Sequence, residues 1–180
     1  MRVYVVKGMM ILLLVALVGC AATPDQAAGP TPVPTAPPVG VKVGNTAPDL
    51  RLANLEGKEV RLGDLRGQPV LVNFWAVWCG FCRVELPEMQ AVYEAYNDKG
   101  FVILAVDVQE EKPLVQDFVN ELGLTFPVLL DTKGEVTRSY RVRGLPTSYF
   151  VDPNGVIVGV QVGPIDEAWM KEHLAQVGVK

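Results

Sequence analysis

The pattern of apolar and polar positions divides most of the chain into short strands and helices. Residues 70–75 form an almost wholly apolar run, which predicts a strand buried on both faces of a sheet. The residues that follow are helical in pattern, because apolar side chains recur at spacings of three and four. These side chains belong to Leu86, Met89, Val92, Tyr93 and Tyr96. The sequence therefore predicts a buried strand that turns directly into a helix.

Further elements flank this strand-to-helix unit. Alternating residues on either side of a Glu-Gly turn predict a β-hairpin before it, and an Asp-Pro-Asn-Gly turn predicts a second hairpin near the end of the chain. Strands that alternate with helices and close on a hairpin predict an α/β fold, with a mixed central sheet flanked by helices. The predicted strands are residues 49–52, 59–62, 101–106, 128–130, 148–151 and 156–160, and the predicted helices are residues 113–122, 135–140 and a last helix that Asp166 caps.

The first twenty residues have the composition of a targeting segment. Arg2 and Lys7 precede an apolar run at residues 9–18, and this run is shorter than the roughly 20 residues that a membrane-spanning helix needs. Residues 17–20 read Leu-Val-Gly-Cys, which resembles a bacterial lipobox. That resemblance implies a signal peptide at residues 1–19, cleavage before Cys20 and lipid attachment to the Cys20 sulfur. An uncleaved signal anchor is the alternative.

Residues 20–43 differ in composition from the rest of the chain, since they are rich in Pro, Ala, Thr and Gly. Such a segment cannot bury enough apolar surface to fold, so we expect a partly extended, lipid-attached tether. The folded domain is then predicted at residues 44–180. The net charge of −4 and the lack of a basic patch exclude a nucleic-acid-binding function.

Cysteine usage indicates redox chemistry. A strand that turns into a helix puts Cys79 at the helix N-terminus, where free N–H groups and the helix dipole favour a thiolate. Cys82 lies one turn further on, close enough for the two sulfurs to bond, as thiol–disulfide exchange requires. A structural disulfide closing so short a loop would contribute only about 2 kcal/mol. We expect no cofactor and no metal, because the second half of a zinc site is missing and the only histidine, His173, falls in the last helix.

Several motifs together make the chain from residue 44 onward resemble a thioredoxin-fold protein. They are Phe74-Trp75-Ala76, Trp78-Cys79-x-x-Cys82, Pro87 five residues after the second cysteine, and Gly144-Leu145-Pro146-Thr147. The last motif resembles the loop in which this superfamily carries a cis-proline that faces the CxxC pair. The resemblance implies a cis bond at Pro146, and an extended substrate segment bound by the backbone around Leu145 beside Cys79.

The front hairpin, the helix–strand insert at residues 113–130 and the lipoprotein-like start narrow the resemblance. They resemble the membrane-anchored, extracytoplasmic TlpA/ResA/DsbE group of thioredoxin-like reductants, which is related to AhpC/TSA-type proteins. Glu85 matches a carboxylate that some of this group carry, which implies that Glu85 takes or returns a thiol proton during exchange. The alternative is a solvent-exposed glutamate on the helix surface. Asn73 stands where cytosolic thioredoxins carry a buried Asp.

The remaining site candidates surround the cysteine pair. Thioredoxins have proline where this chain has Phe81, so Phe81 is either a docking surface for a partner or a ring that desolvates the Cys79 thiolate. We expect Trp78 to cover the cysteine pair and to contribute to the substrate-binding surface. Asp107 ends a central strand at its carboxyl edge, where we expect it to cap a helix or to order a loop.

The family resemblance implies a reductant of extracytoplasmic protein disulfides, anchored on the outer face of the cytoplasmic membrane. Client proteins with disulfides or thiols would be its partners, and apocytochrome c is one such client. A membrane thiol reductase would supply electrons, because no soluble reducing pool is expected there. A peroxiredoxin-like peroxidase and a non-enzymatic copper-delivery or client-binding module are the alternatives. The first would need a cysteine set among Thr, Pro and Arg, and the second lacks a nearby His or Met.

Overall fold

The apolar run that begins at Val70 forms the central strand of a five-stranded sheet in the structure, a computed structural model that describes residues 36–180. The strands are β1 (Arg51–Ala53), β2 (Glu59–Arg61), β3 (Val70–Trp75), β4 (Val102–Val108), β5 (Val128–Asp131), β6 (Thr147–Val151) and β7 (Ile157–Val162). The helices are α1 (Gly80–Tyr96), α2 (Lys112–Leu122), α3 (Glu135–Ser139) and α4 (Glu167–Gln176), and short 3-10 turns lie at Leu62–Leu65 and Asn97–Lys99.

The large sheet is mixed, and its strands lie in the order β5-β4-β3-β6-β7. Strands β3, β4 and β5 run parallel, whereas β6 pairs antiparallel with both β3 and β7. Strands β1 and β2 form the separate front hairpin, with Leu52 opposite Val60. This arrangement confirms the predicted α/β thioredoxin-type fold, both hairpins and the helix–strand insert, which is α2 followed by β5.

Two apolar cores lie on opposite faces of the sheet. On one face, helices α1, α2 and α4 bury Leu86, Phe118 and Met170 against the strands. The other face packs against the front hairpin and the segment that follows α3. All six residues of β3 are buried, because their side chains alternate between these two cores. Each large apolar side chain buried in this way contributes about 1.5–3 kcal/mol, so β3 is firmly held and can position the residues after it.

The last part of the segment predicted as a tether makes backbone contacts with the folded domain. The backbone N–H of Thr46 donates to Pro38 O, and that of Gly40 donates to Thr46 O, both at 3.0 Å. Residues 38–46 are therefore joined by backbone hydrogen bonds and pack on the domain, where Thr46 also pairs with Val156. The predicted signal peptide and Cys20 lie outside the described residues. Within residues 36–180, no helix is long and apolar enough to cross a membrane.

Candidate active site

Cys79 lies at the junction between β3 and α1, as the sequence predicts. The backbone N–H of Cys79 donates to Ala76 O at 3.1 Å, which closes a tight turn after the strand. Cys79 is the N-cap residue of α1, and its Sγ accepts the backbone N–H of Cys82 at 3.2 Å. A sulfur in this position receives both a hydrogen bond and the positive end of the helix dipole. Both effects stabilise a thiolate more than a thiol.

The two cysteines are joined in a disulfide, with their Cα atoms 5.2 Å apart. Cys79 is 4% exposed and Cys82 is fully buried, so the sulfur that an incoming thiol or disulfide reaches first belongs to Cys79. Cys82 is positioned to react only with Cys79. This asymmetry suits an exchange reaction in which one sulfur meets the partner and the other resolves the intermediate.

The loop before β6 lies at the same edge of the sheet as Cys79. The Leu145–Pro146 peptide bond is cis, which confirms the expectation from the paired motifs. Thr147, the first residue of β6, is in register with Phe74 near the end of β3. Pro146 is buried and Leu145 is half-buried. The structure therefore brings the cis-proline loop next to the end of the strand that leads to Cys79.

Glu85 is 1% exposed, so the alternative of a solvent-exposed glutamate is wrong. Its Oε1 accepts the side-chain amide of Asn73 at 2.9 Å, and its Oε2 accepts the backbone N–H of Ile165 at 2.9 Å. The same Asn73 amide also donates to Ser148 Oγ at 2.9 Å. These contacts form a buried polar cluster three residues along α1 from Cys82.

The environment of Glu85 suits it to proton transfer. Burial raises the pKa of the Glu85 carboxyl from 4.5 to about 7, although the hydrogen bonds from Ile165 and Asn73 act to lower the pKa. The negative charge of Glu88 raises the pKa further. A carboxyl with a pKa near neutrality can both accept and return a proton at physiological pH. The sequence indicated Glu85 but not Asn73 as its partner.

The aromatic residues beside the cysteines lie mainly in solvent. Trp78 is 72% exposed, so most of its side chain faces solvent. Phe81 is 67% exposed, which favours a docking surface over desolvation of the Cys79 thiolate. Trp75, in contrast, is buried and stacks on Phe118, with the ring centroids 5.4 Å apart. The start of α1 thus presents apolar surface next to Cys79.

Asp107 orders a loop, which is one of the two roles expected for it. It is fully buried, and its Oδ1 accepts the backbone N–H of Glu110 at 3.3 Å. The Glu110 side chain in turn contacts the residues that lead to Cys79, because its Oε2 accepts the backbone N–H of Val77 at 2.6 Å. Sequence reasoning missed Glu110, since no periodic pattern connects it with Val77.

His173 is part of α4, and its ring packs between this helix and the sheet, against Trp169 and Phe150. Its ring lies 4.1 Å from that of Trp169, measured between centroids, and its Nδ1 lies 2.8 Å from Trp169 O. Across residues 36–180, no group of three or more His, Cys, Asp or Glu side chains is arranged to hold a metal ion.

This fold and this dithiol centre define a thioredoxin-fold thiol–disulfide oxidoreductase, and the chain belongs to the AhpC/TSA family, whose model matches residues 43–160. It is similar to the thiol-disulfide oxidoreductase ResA of Geobacillus thermodenitrificans, at 42% identity over 137 residues, which cover 76% of this chain and 79% of that protein. ResA of Bacillus subtilis is 37% identical over 134 residues, covering 74% and 75% of the two chains.

Solved structures agree with this assignment. A candidate thiol:disulfide interchange protein DsbE from Chlorobium tepidum has a TM-score of 0.72 and 35% identity, covering 77% of this chain and all of its own. StoA from Bacillus subtilis has a TM-score of 0.62 and 29% identity, covering 70% of this chain and 96% of its own. The two ResA relatives are thiol-disulfide oxidoreductases by name, and the Chlorobium tepidum structure is that of a thiol:disulfide interchange protein. The predicted resemblance to the ResA/DsbE group is confirmed.

Proposed function

We propose that the protein is a membrane-tethered, extracytoplasmic reductant of protein disulfides that works through Cys79 and Cys82. The observation that carries this proposal is the asymmetry of the pair. The Cys79 sulfur is the helix N-cap and accepts a backbone N–H, whereas the Cys82 sulfur is fully buried behind it. The cap geometry activates one sulfur as a nucleophile and keeps the other for resolution.

In the proposed reaction, the Cys79 thiolate attacks one sulfur of a client disulfide. A mixed disulfide forms between Cys79 and the client, and the other client sulfur leaves as a thiolate. The Cys82 thiolate then attacks the Cys79 sulfur, which releases the second client thiolate and leaves the Cys79–Cys82 disulfide. Two electrons pass from the protein to the client, whose two thiolates take up protons.

Glu85 supplies the base that the second step needs in this proposal. Cys82 is fully buried, and its thiol must lose its proton before the sulfur can attack. Glu85 lies one helical turn from Cys82 and has a pKa of about 7, so its carboxylate is available near neutral pH. When electrons flow in the opposite direction, Glu85 returns the proton to Cys82.

Client binding is assigned to the surface around Cys79. The backbone at Leu145, beside the cis bond to Pro146, would pair with an extended client segment that carries the disulfide. Trp78 and Phe81 are exposed at the start of α1 and would contact apolar client side chains next to that segment. Their exposure supports docking, because large apolar groups in solvent are typical of interaction sites.

The tether, the electron donor and the client complete the proposal. Lipid attachment at Cys20 would hold the domain at the outer face of the cytoplasmic membrane, through the Pro-rich segment that ends near residue 43. A membrane thiol reductase would return the Cys79–Cys82 disulfide to the dithiol. Apocytochrome c, whose disulfide would be reduced to thiols before haem attachment, is one client that such a reductant would serve.

One experiment in cells tests direction and tether together. Free thiols are alkylated in intact cells, and the redox state of Cys79 and Cys82 is then read in the membrane and soluble fractions. We expect the wild-type protein in the membrane fraction with both thiols reduced, because a reductant in use is recharged there. The variant Cys20→Ser should leave the membrane and become oxidised. A membrane-bound protein found mainly as its disulfide, or a Cys20→Ser variant with unchanged distribution, would contradict the proposal.

A further inference from the structure

Two carboxyl side chains lie at the carboxyl edge of the sheet, beside the residues that connect β3 to Cys79. We propose that Glu110 is a positioning residue for this connection, residues 76–79, and that Asp107 holds Glu110 in place. The inference rests on thiol–disulfide exchange at Cys79. It is independent of which client is used and of the direction in which electrons flow.

The contact between Glu110 and Val77 is the first observation. Glu110 Oε2 accepts the Val77 backbone N–H at 2.6 Å, across 33 residues of sequence. Val77 lies outside the strand ladder, and a single residue separates it from the Cys79 N-cap. A hydrogen bond to a carboxylate is shorter and about twice as strong as one between neutral groups. Glu110 therefore fixes the backbone immediately before the reactive sulfur.

The loop that carries Glu110 adopts a conformation that non-glycine residues rarely take. Gln109 has a φ of 61°, in the left-handed region, which costs about 1–2 kcal/mol for a residue with a Cβ. The backbone N–H of Gln109 donates to Asp131 O at 3.2 Å, so the strand β5 helps to hold this turn. Strained residues of this kind persist where the surrounding structure holds them, and they cluster at functional sites.

Asp107 anchors the other side of the turn. It is fully buried in register with Trp75, the last residue of β3, and its Oδ1 accepts the Glu110 N–H. Its Oδ2 has no hydrogen-bonding partner in the described part of the chain. Burial raises the pKa of Asp107, and the neighbouring Glu110 and Asp131 carboxyls raise it further. This shift favours the protonated form of the Asp107 carboxyl.

The consequence concerns the Cys79 thiolate. Cys79 gains its stabilisation from its place at the helix N-cap, which depends on the path of residues 76–78. If Glu110 can no longer hold Val77, the backbone of residues 76–78 becomes more mobile. The Cys79 sulfur then accepts the hydrogen bond from the Cys82 N–H for a smaller fraction of the time. The pKa of the Cys79 thiol rises, and its thiolate fraction below that pKa falls.

Two substitutions of Glu110 in the full-length protein distinguish the effect of its contact with Val77 from the effect of its negative charge. Glu110→Asp keeps the charge but is one methylene too short to reach Val77, whereas Glu110→Gln keeps an acceptor oxygen at the same reach and loses the charge. Glu111→Gln is the matched control, since Glu111 is exposed and its side chain makes no capping hydrogen bond in the described structure. The readouts are the thiolate absorbance of Cys79 as a function of pH, and the rate of reaction with a small aromatic disulfide.

We expect Glu110→Asp to react about fivefold to tenfold more slowly below the Cys79 pKa, as the loss of one hydrogen bond predicts. Its Cys79 titration should shift to higher pH, Glu110→Gln should show a smaller shift in the same direction, and Glu111→Gln should stay close to the wild type. A Glu110→Asp protein that titrates and reacts like the wild type would overturn the proposal. The reverse ranking, with Glu110→Gln impaired and Glu110→Asp normal, would also overturn it, because charge rather than contact would then matter.

Discussion

Replacing Cys79 with serine will abolish disulfide exchange, whereas replacing Cys82 with serine will stop the reaction at a mixed disulfide with the client. Cys79 is the sulfur at the helix N-cap, so its loss removes the nucleophile, and we expect the rate to fall by at least about 10³-fold. Without Cys82, the first attack still proceeds, but no buried thiolate remains to resolve it. The client should therefore stay covalently attached to Cys79.

Non-reducing electrophoresis of membranes measures this difference. The Cys82→Ser protein should migrate as mixed-disulfide adducts with clients, which a reducing agent cleaves. The Cys79→Ser protein should give no such adducts. The double variant Cys79→Ser/Cys82→Ser is the control for non-covalent association. Equal amounts of adduct from the two single variants, or adducts from Cys79→Ser alone, would contradict the assignment of Cys79 as the attacking sulfur.

Replacing Glu85 with glutamine will slow the resolution step by about 10²-fold near pH 8, in line with the loss of a general base. In the wild type, this step needs ionised Glu85, so its rate should rise as the pH increases through about 7, the pKa of the carboxyl. The Glu85→Gln protein lacks this rise. Stopped-flow reduction of a disulfide-bonded peptide at several pH values measures both the rate and its pH dependence.

Stability provides a second readout for the same substitution. The folded protein holds the Glu85 proton more tightly than the unfolded chain, since the pKa is about 7 rather than 4.5. Wild-type stability therefore falls as the pH rises from about 4.5 to about 7, and the Glu85→Gln protein should not show this part of the fall. Glu172→Gln, an exposed substitution on α4, controls for the change in net charge. An unchanged rate profile in Glu85→Gln, with the stability difference present, would leave Glu85 a purely structural residue.

Local patterns were enough to predict the frame of the site. The apolar run at β3 and the helical spacing after it placed Cys79 at the start of α1, because both signals lie within thirty residues of sequence. The cis bond at Pro146 came from the resemblance, since X–Pro bonds are cis in only about 5–6% of cases in folded proteins. Paired motifs that are distant in sequence supplied what local propensity could not.

Contacts between distant segments were beyond the reach of such patterns. Glu85 is buried because residues around Ile165, 80 positions later, close over it, and no periodicity on α1 shows that cover. One signal was available, namely Asn73 within an otherwise apolar buried strand. A buried amide needs a hydrogen-bonding partner, so its presence indicates a polar group facing β3. No comparable feature of the sequence indicates the contact between Glu110 and Val77.

The reduction potential of the Cys79–Cys82 pair tests the central claim most directly. Full-length protein is equilibrated with defined ratios of reduced and oxidised dithiol buffer, and the fraction of disulfide is read after alkylation. A reductant of protein disulfides requires a potential near or below about −270 mV, the value of thioredoxin, and we predict a value in that range. A potential near about −120 mV, typical of a strong disulfide donor, would contradict the account, because electrons would then flow from clients to this protein.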